Sequence, residues 1–209
     1  MHLYTFDPAP NPRRLGLFLA YKGIDIETTQ VDLMKAEQLG EAFRAINPAG
    51  TVPALVLDDG TVMAEVIGIC AYLEALYPEK PLLGDDPLTR AQVLSWDHHL
   101  FLAVFMAIAE TFRNGNPSFE GRALPGPFKV AQIPALCDRG RERLARSWLA
   151  LDKTLAGRDF LVGSAVTLAD IDLLVAVEFA GWIKESVPES CTHLHSWLAR
   201  TREALGIAG

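Results

Sequence analysis

The chain has 209 residues, half of them apolar, with 26 acidic against 19 basic side chains and a formal net charge of −7. That length holds one large domain or two small ones, and the apolar share without any charge block or low-complexity run excludes extended disorder. The acidic balance supplies no pull towards nucleic acid or an anionic membrane, and three widely spaced cysteines (Cys70, Cys137, Cys191) exclude a disulfide framework or a Cys-based metal cluster.

In chain order, His2–Phe6 reads as a strand and 7–12 as a loop with three prolines. Residues 14–21 then read as a helix, with Leu15, Phe18 and Leu19 at i, i+3, i+4 spacing and Gly23 as its stop. Residues 24–32 are a second strand and 36–45 a short helix. Two further strands, 54–57 and 61–63, flank Asp58-Asp59-Gly60, a hairpin signal because glycine accepts the positive φ of a tight turn. Residues 65–76 form a helix stopped by Pro78. The order βαβα, hairpin, α predicts a mixed sheet covered by helices.

After the proline-rich stretch 78–87 the pattern turns wholly helical, with helices expected over 89–113, 130–156, 167–184 and 193–205 and a Gly/Pro-rich loop over 114–127. Thr167 and Asp170 have the spacing of a capping box ahead of an apolar run. The charge divides unevenly, with 6 basic and 11 acidic residues in 1–84 against 13 and 15 in 85–209. The expected organisation is therefore a first domain over 1–80, a linker over 81–88 and an all-α domain over 89–209. The first residues lack the charged and apolar regions of a signal peptide, and no apolar run approaches 18 residues, so a soluble, cytoplasmic protein is expected.

The densest information lies in Asn47-Pro-Ala-Gly-Thr-Val-Pro-Ala-Leu55, Asp58-Asp-Gly60 and the helix opening at Glu65. A proline at the mouth of a strand leaves the ladder open there. With Val52–Pro53 cis, the backbone of Val52 turns outward and can pair with an extended peptide, while the amides of a helix starting at Glu65 form a carboxylate site. Together they describe a pocket for a small acidic peptide.

On these residues, with the Leu3-Tyr4 strand, Lys22-Gly-Ile24, the proline-rich linker and Thr167-Leu-Ala-Asp170, the chain resembles the glutathione S-transferase family over essentially its whole length. The resemblance implies a thioredoxin-like N-terminal domain followed by an all-helical C-terminal domain, α+β then α, usually in a homodimer. Its ligand is the tripeptide glutathione. Val52 matches the position whose backbone pairs with the cysteinyl part, Pro53 the cis-proline, and Glu65 the acid facing the γ-glutamyl ammonium. Val66 stands where serine is usual, so the amide for the γ-glutamyl carboxylate remains and the hydroxyl is lost. Lys35 and Gln38 lie where the family often contacts the glycyl end.

A thiol of pKa ~8.5 needs a donor beside it to become the nucleophilic thiolate. The usual serine position falls on Ala9, which has no donor. Pro8-Ala-Pro-Asn11 resembles a bacterial nu-type pattern with Ala9 in place of Thr, which makes Asn11 the candidate thiolate-stabilising residue. The competing reading has Asn11 capping the first helix ahead of Pro12. Tyr4, inside its strand, reads as packing.

Phe101, Phe105, Ile108 and Phe112 form a helical apolar stripe. By the resemblance, Phe105, Met106 and Phe112, with Pro10 of the first loop, line the pocket for an apolar electrophile. No metal is expected, since the His98-His99 and His193/His195 pairs lack ligands at metal spacing. The arginines at 139, 141, 143 and 146 read as a solvated face or dimer contact. The resulting expectation is a glutathione transferase acting on a small apolar electrophile. Its rivals are a binding or scaffold protein with little chemistry, favoured by Ala9 and Val66, and a glutathione-dependent lyase, dehalogenase or peroxidase.

Overall fold

The computed structural model describes residues 1–207. The chain divides into two units, the first Met1–Lys80 with Leu124–Lys129, the second Pro81–Ala123 with the residues from Val130 onward. In the first unit the elements run β1 (His2–Thr5), α1 (Pro10–Lys22), β2 (Glu27–Gln30), α2 (Glu41–Ile46), β3 (Ala54–Val56), β4 (Val62–Ala64) and α3 (Val66–Leu76). The sheet order is β2-β1-β3-β4, with β1 parallel to β2 and antiparallel to β3, and β4 antiparallel to β3. This is the mixed sheet expected from the sequence.

Successive side chains of a strand point to opposite faces. Tyr4 packs edge-on against Phe43 of α2 and joins a core of Val31, Phe43, Val52 and Ala54. Leu3 and Leu55 are turned to the other face and are buried, as are Leu15 and Phe18 of α1 and Ile69 and Leu73 of α3. Tyr4 is thus a packing residue. The end of α1 is tied to α3 by the ammonium of Lys22, which donates to Glu74 at 2.8 Å and to the carbonyls of Glu79 and Lys80 at 2.8 and 3.2 Å.

Three boundaries differ from expectation. β2 holds four residues rather than nine, because it is an edge strand pairing only with the four residues of β1. The helix expected over 36–45 is split: Gly40 is extended (ψ 156°), separating a 3₁₀ turn at Glu37–Leu39 from α2. Helix α1 begins at Pro10, with Ala9 as its N-cap and Gly23 in the left-handed conformation closing its end.

In the second unit, α4 (Pro87–Leu100) and α5 (Met106–Gly115) are joined through π-helical residues Phe101–Phe105. They are followed by α6 (Ala135–Leu155), α7 (Leu168–Ala180) and α8 (Thr192–Ala204). Pro87–Gly115 is long and apolar enough to cross a membrane by length and composition, which the sequence reading did not anticipate. Val93, Leu100, Val104, Ala107 and Ile108 along it are buried in the core.

The expected helix 130–156 starts only at Ala135. Val130 is paired instead with Gly121 and Ala123, and Pro134 has no N–H to continue a ladder. α6 packs so closely on α5 that a Cβ on Gly140 would lie 2.3 Å from Thr111 Oγ1. The arginines of α6 are paired, Arg139 and Arg143 with Glu110, Arg141 with Glu185 and Arg146 with Glu142. The expected capping box is present at the head of α7.

Candidate glutathione site

Register brings several of the candidate residues of the first unit to one end of its sheet. Ala54 stands opposite both Tyr4 and Ala64 in the sheet. Pro53 and Glu65 therefore flank the last rung of the β3–β4 hairpin. The carboxyl end of β1, leading to Ala9, Pro10 and Asn11, reaches the same end of the sheet. Three separately coded segments thus converge there: the head of α1, the turn before β3 and the head of α3.

The Val52–Pro53 bond is cis, as expected. The Val52 side chain is buried beside Val31 and Phe43, whereas its backbone lies before the ladder, which begins at Ala54. Among the described residues neither its N–H nor its C=O has a hydrogen-bond partner. The preceding turn is rigid. Buried Asn47 donates to the Thr51 carbonyl at 2.8 Å and accepts from the Ala49 amide at 3.2 Å. The result is an unpaired stretch of backbone beside the head of β3.

β4 ends at Ala64 and α3 begins at Val66, so a single residue must make the turn. Glu65 does so with φ +66°, a conformation that costs a non-glycine residue about 1–2 kcal/mol. Its carboxylate caps nothing in the helix and is exposed. The first-turn amides of α3, starting with Val66, have no partner within the helix. They carry the positive end of the helix dipole beside an exposed carboxylate. Val66 itself is buried, so its side chain belongs to the core and only its amide faces outward chemistry.

Asn11 occupies the second position of α1 and does not cap it; Ala9 is the N-cap and Pro10 the first helical residue. The capping reading of Asn11 fails because Pro10, with its fixed φ, starts the helix two residues earlier than Pro12 would. The Asn11 carbonyl accepts from the guanidinium of Arg14 at 3.3 Å, and Arg14 is buried. Arginine can only donate, so this bond fixes the amide's orientation and leaves the Nδ2 amine as the end open to a ligand.

Lys35 is 84 % exposed and closed onto Asp32 at 3.0 Å, an interaction that raises its pKa and lowers that of Asp32. Gln38 is half-buried, and its Oε1 is sealed from solvent with no hydrogen-bond partner among the described residues. Pro10 is half-buried in the first unit.

The remaining residues of the expected electrophile pocket belong to the second unit. Phe105 is buried to 6 % exposure in the core, because the π-helical turn carries it inward, while Met106 and Phe112 are half-buried. Phe112 sits in a ring cluster not foreseen from the sequence: Phe119, Phe179 and Trp182 lie 5.0, 6.0 and 5.4 Å from it, edge-on. Phe179 and Trp182 stand at i, i+3 across the end of α7, but their meeting with Phe112 and Phe119 joins distant parts of the chain that no spacing rule announces. Arg113 and Arg122 lie over Phe119 at 4.6 and 5.7 Å, and burial together with the Arg122 charge lowers the Arg113 pKa to about 10.

Comparison with known proteins shows the family. Residues 9–76 match the family model described as glutathione S-transferase, N-terminal domain, and residues 96–203 that described as glutathione S-transferase, C-terminal domain. The chain is 29% identical over 206 residues to glutathione S-transferase 2 of Saccharomyces cerevisiae, covering 97% of this chain and 86% of that one. It superposes with a TM-score of 0.90 and 30% identity on a glutathione S-transferase domain-containing protein of Marinobacter aquaeolei, over the full length of both. With a TM-score of 0.80 and 26% identity it superposes on the beta-etherase LigF of a Sphingobium species, covering 96% and 94%. The chain belongs to the glutathione S-transferase family.

Proposed function

We propose that the chain conjugates the glutathione thiolate to an apolar electrophile, with the tripeptide seated at the end of the sheet in the first unit. The carrying observation is the unpartnered backbone of Val52 beside Pro53, one rung from the uncapped head of α3. The cysteinyl backbone pairs with Val52 as an added strand. The γ-glutamyl carboxylate takes the Val66 amide, and its ammonium meets Glu65. Gln38 accepts from the ligand through Oε1 towards the glycyl end, whereas Lys35 is engaged by Asp32. The Nδ2 amine of Asn11 donates to the thiolate, which favours the ionised sulfur.

In the second unit the electrophile rests on Met106 and Phe112, with the ring cluster behind Phe112. Buried Phe105 supports that wall from within. A homodimer in the cytoplasm completes the proposal, with Val62, Leu76 and Tyr77 in the first unit and Phe101 and Leu102 in the second as exposed apolar side chains for pairing.

The test has two parts. A ligand at one hundred times its Kd stabilises by about 2.7 kcal/mol, so 10 mM glutathione is expected to raise the melting temperature. No rise removes the reading. Asn11→Ala is then expected to lower turnover with an aromatic electrophile about ten- to hundredfold and to move the alkaline rise of the pH–rate profile upward, since the bound thiol loses its donor. An unchanged profile removes Asn11 from the chemistry. A binding protein without chemistry is the second reading, favoured by Ala9 and the buried Val66. Glutathione stabilisation with no turnover on any electrophile, peroxide or aryl ether would establish it.

A further inference from the structure

The segment Leu124–Lys129 belongs to the first unit although its flanks belong to the second. Its sequence, Leu-Pro-Gly-Pro-Phe-Lys, is a stiff tip. The flanks are fixed in the second unit: Ala123 and Val130 exchange bonds with Val130 and Gly121 at 3.0 and 2.9 Å. Arg113 donates to the carbonyls of Arg122 and Ala123 at 2.8 and 3.2 Å, and Gln132 to those of Arg113 and Asn116.

The tip is seated in the first unit at Ala49. A Cβ on Gly126, whose φ is +97°, would lie 3.3 Å from the Ala49 carbonyl. Ala49 is held by Asn47, which also holds Thr51, the residue before Val52. The tip therefore lies against the turn that presents the peptide-pairing edge.

One ligand group remains to be matched, and of the lysines and arginines of that unit two, Arg44 exposed on α2 and Lys129, have no ion pair or side-chain hydrogen bond among the described residues. Glutathione carries two carboxylates and one ammonium; the head of α3 and Glu65 answer one of each. Lys22 is buried on Glu74, Lys80 donates to the Tyr21 carbonyl, and Lys35 is closed onto Asp32. Lys129, at the end of the tip, is exposed and has no ion pair among the described residues. Resting on the function proposed above, we propose that the 124–129 tip is part of the tripeptide site and that Lys129 recognises the glycyl carboxylate, with Gly126 allowing the tip to seat on Ala49.

Titration calorimetry with glutathione and with its glycyl monoethyl ester tests this, on the wild type, Lys129→Gln, Arg44→Gln and Gly126→Val. The wild type is expected to bind the acid about three- to tenfold tighter than the ester, a preference that shrinks with added salt. Lys129→Gln is expected to weaken the acid by that factor and leave the ester unchanged, abolishing the preference. Gly126→Val, strained and displaced from Ala49, should do the same, and Arg44→Gln, exposed on α2, should keep the wild-type preference. A Lys129→Gln protein that keeps the preference overturns the proposal, as does a wild type binding acid and ester equally, which leaves the glutathione reading standing. A wild type binding neither overturns that reading and the proposal with it.

Discussion

At the head of α7 the Asp170 carboxylate, fully buried, takes four donors: the amides of Leu161 and Thr167, the Thr167 hydroxyl and the Trp197 indole, all at 2.8 to 3.0 Å. At the head of α3, Glu65 caps nothing, holds φ +66° and is exposed. One helix start satisfies its donors internally and ties together three segments of the second unit. The other leaves its donors open and carries backbone strain. Strain and open donors are kept where the surrounding structure enforces them, and that is the pattern of a ligand site. The second unit thus spends polar groups on stability, and the first leaves them open for the binding proposed above.

The largest effect should come from breaking the satisfied start. Burial pushes the Asp170 carboxyl up and its hydrogen bonds pull it down, burial being the larger cause. Asp170→Ala strands four buried donors, and stability is expected to fall by about 3–5 kcal/mol, a large share of a domain's total. A urea midpoint near that of the wild type would show that Asp170 does not hold this corner. Glutathione affinity, measured where the variant remains folded, should stay unchanged, because the two helix starts lie in different units.

The opposite change sharpens the contrast. Glu65→Gly removes the positive-φ strain and is expected to add about 1 kcal/mol of stability. It also removes the proposed partner of the γ-glutamyl ammonium, so glutathione binding is expected to weaken about tenfold or more. Opposite signs in thermal unfolding and calorimetry are the signature of a residue kept strained for binding. If both measurements fall together, Glu65 is structural.

These two starts were not equally legible in the sequence. Thr167-Leu-Ala-Asp170 announces a capping box because its partners lie three residues apart, and the structure adds only the distant donors Leu161 and Trp197. Val52-Pro53 and Glu65 were legible through a proline at a strand mouth and a short turn into a helix. Asn11 was legible as a side chain but not as a position, since which of Pro10 and Pro12 opens α1 depends on how the chain leaves β1. The ring cluster around Phe112 and the seating of Gly126 on Ala49 were not legible, because each joins segments far apart in the chain. Local periodicity carries no record of such meetings. No periodicity marks the loop over 114–127, and its tip becomes informative only where the fold sets Gly126 beside Ala49.

The smallest change probes what the first unit gave up. Val66 has 2 % exposure at the first position of α3, where serine would offer a hydroxyl to the same carboxylate that its amide is proposed to meet. Val66→Ser is expected to tighten glutathione binding about tenfold, one hydrogen bond to a charged group. The lost methyls are expected to cost about 1 kcal/mol of stability. The two effects are separable, because calorimetry reads the first and denaturant unfolding without ligand reads the second. Stability lost without any gain in affinity would mean that the hydroxyl points into the core, as the valine does, and that the α3 amides alone hold the carboxylate. The contrast between the two helix starts would then be sharper still, with the first unit relying on backbone donors where the second relies on a side chain.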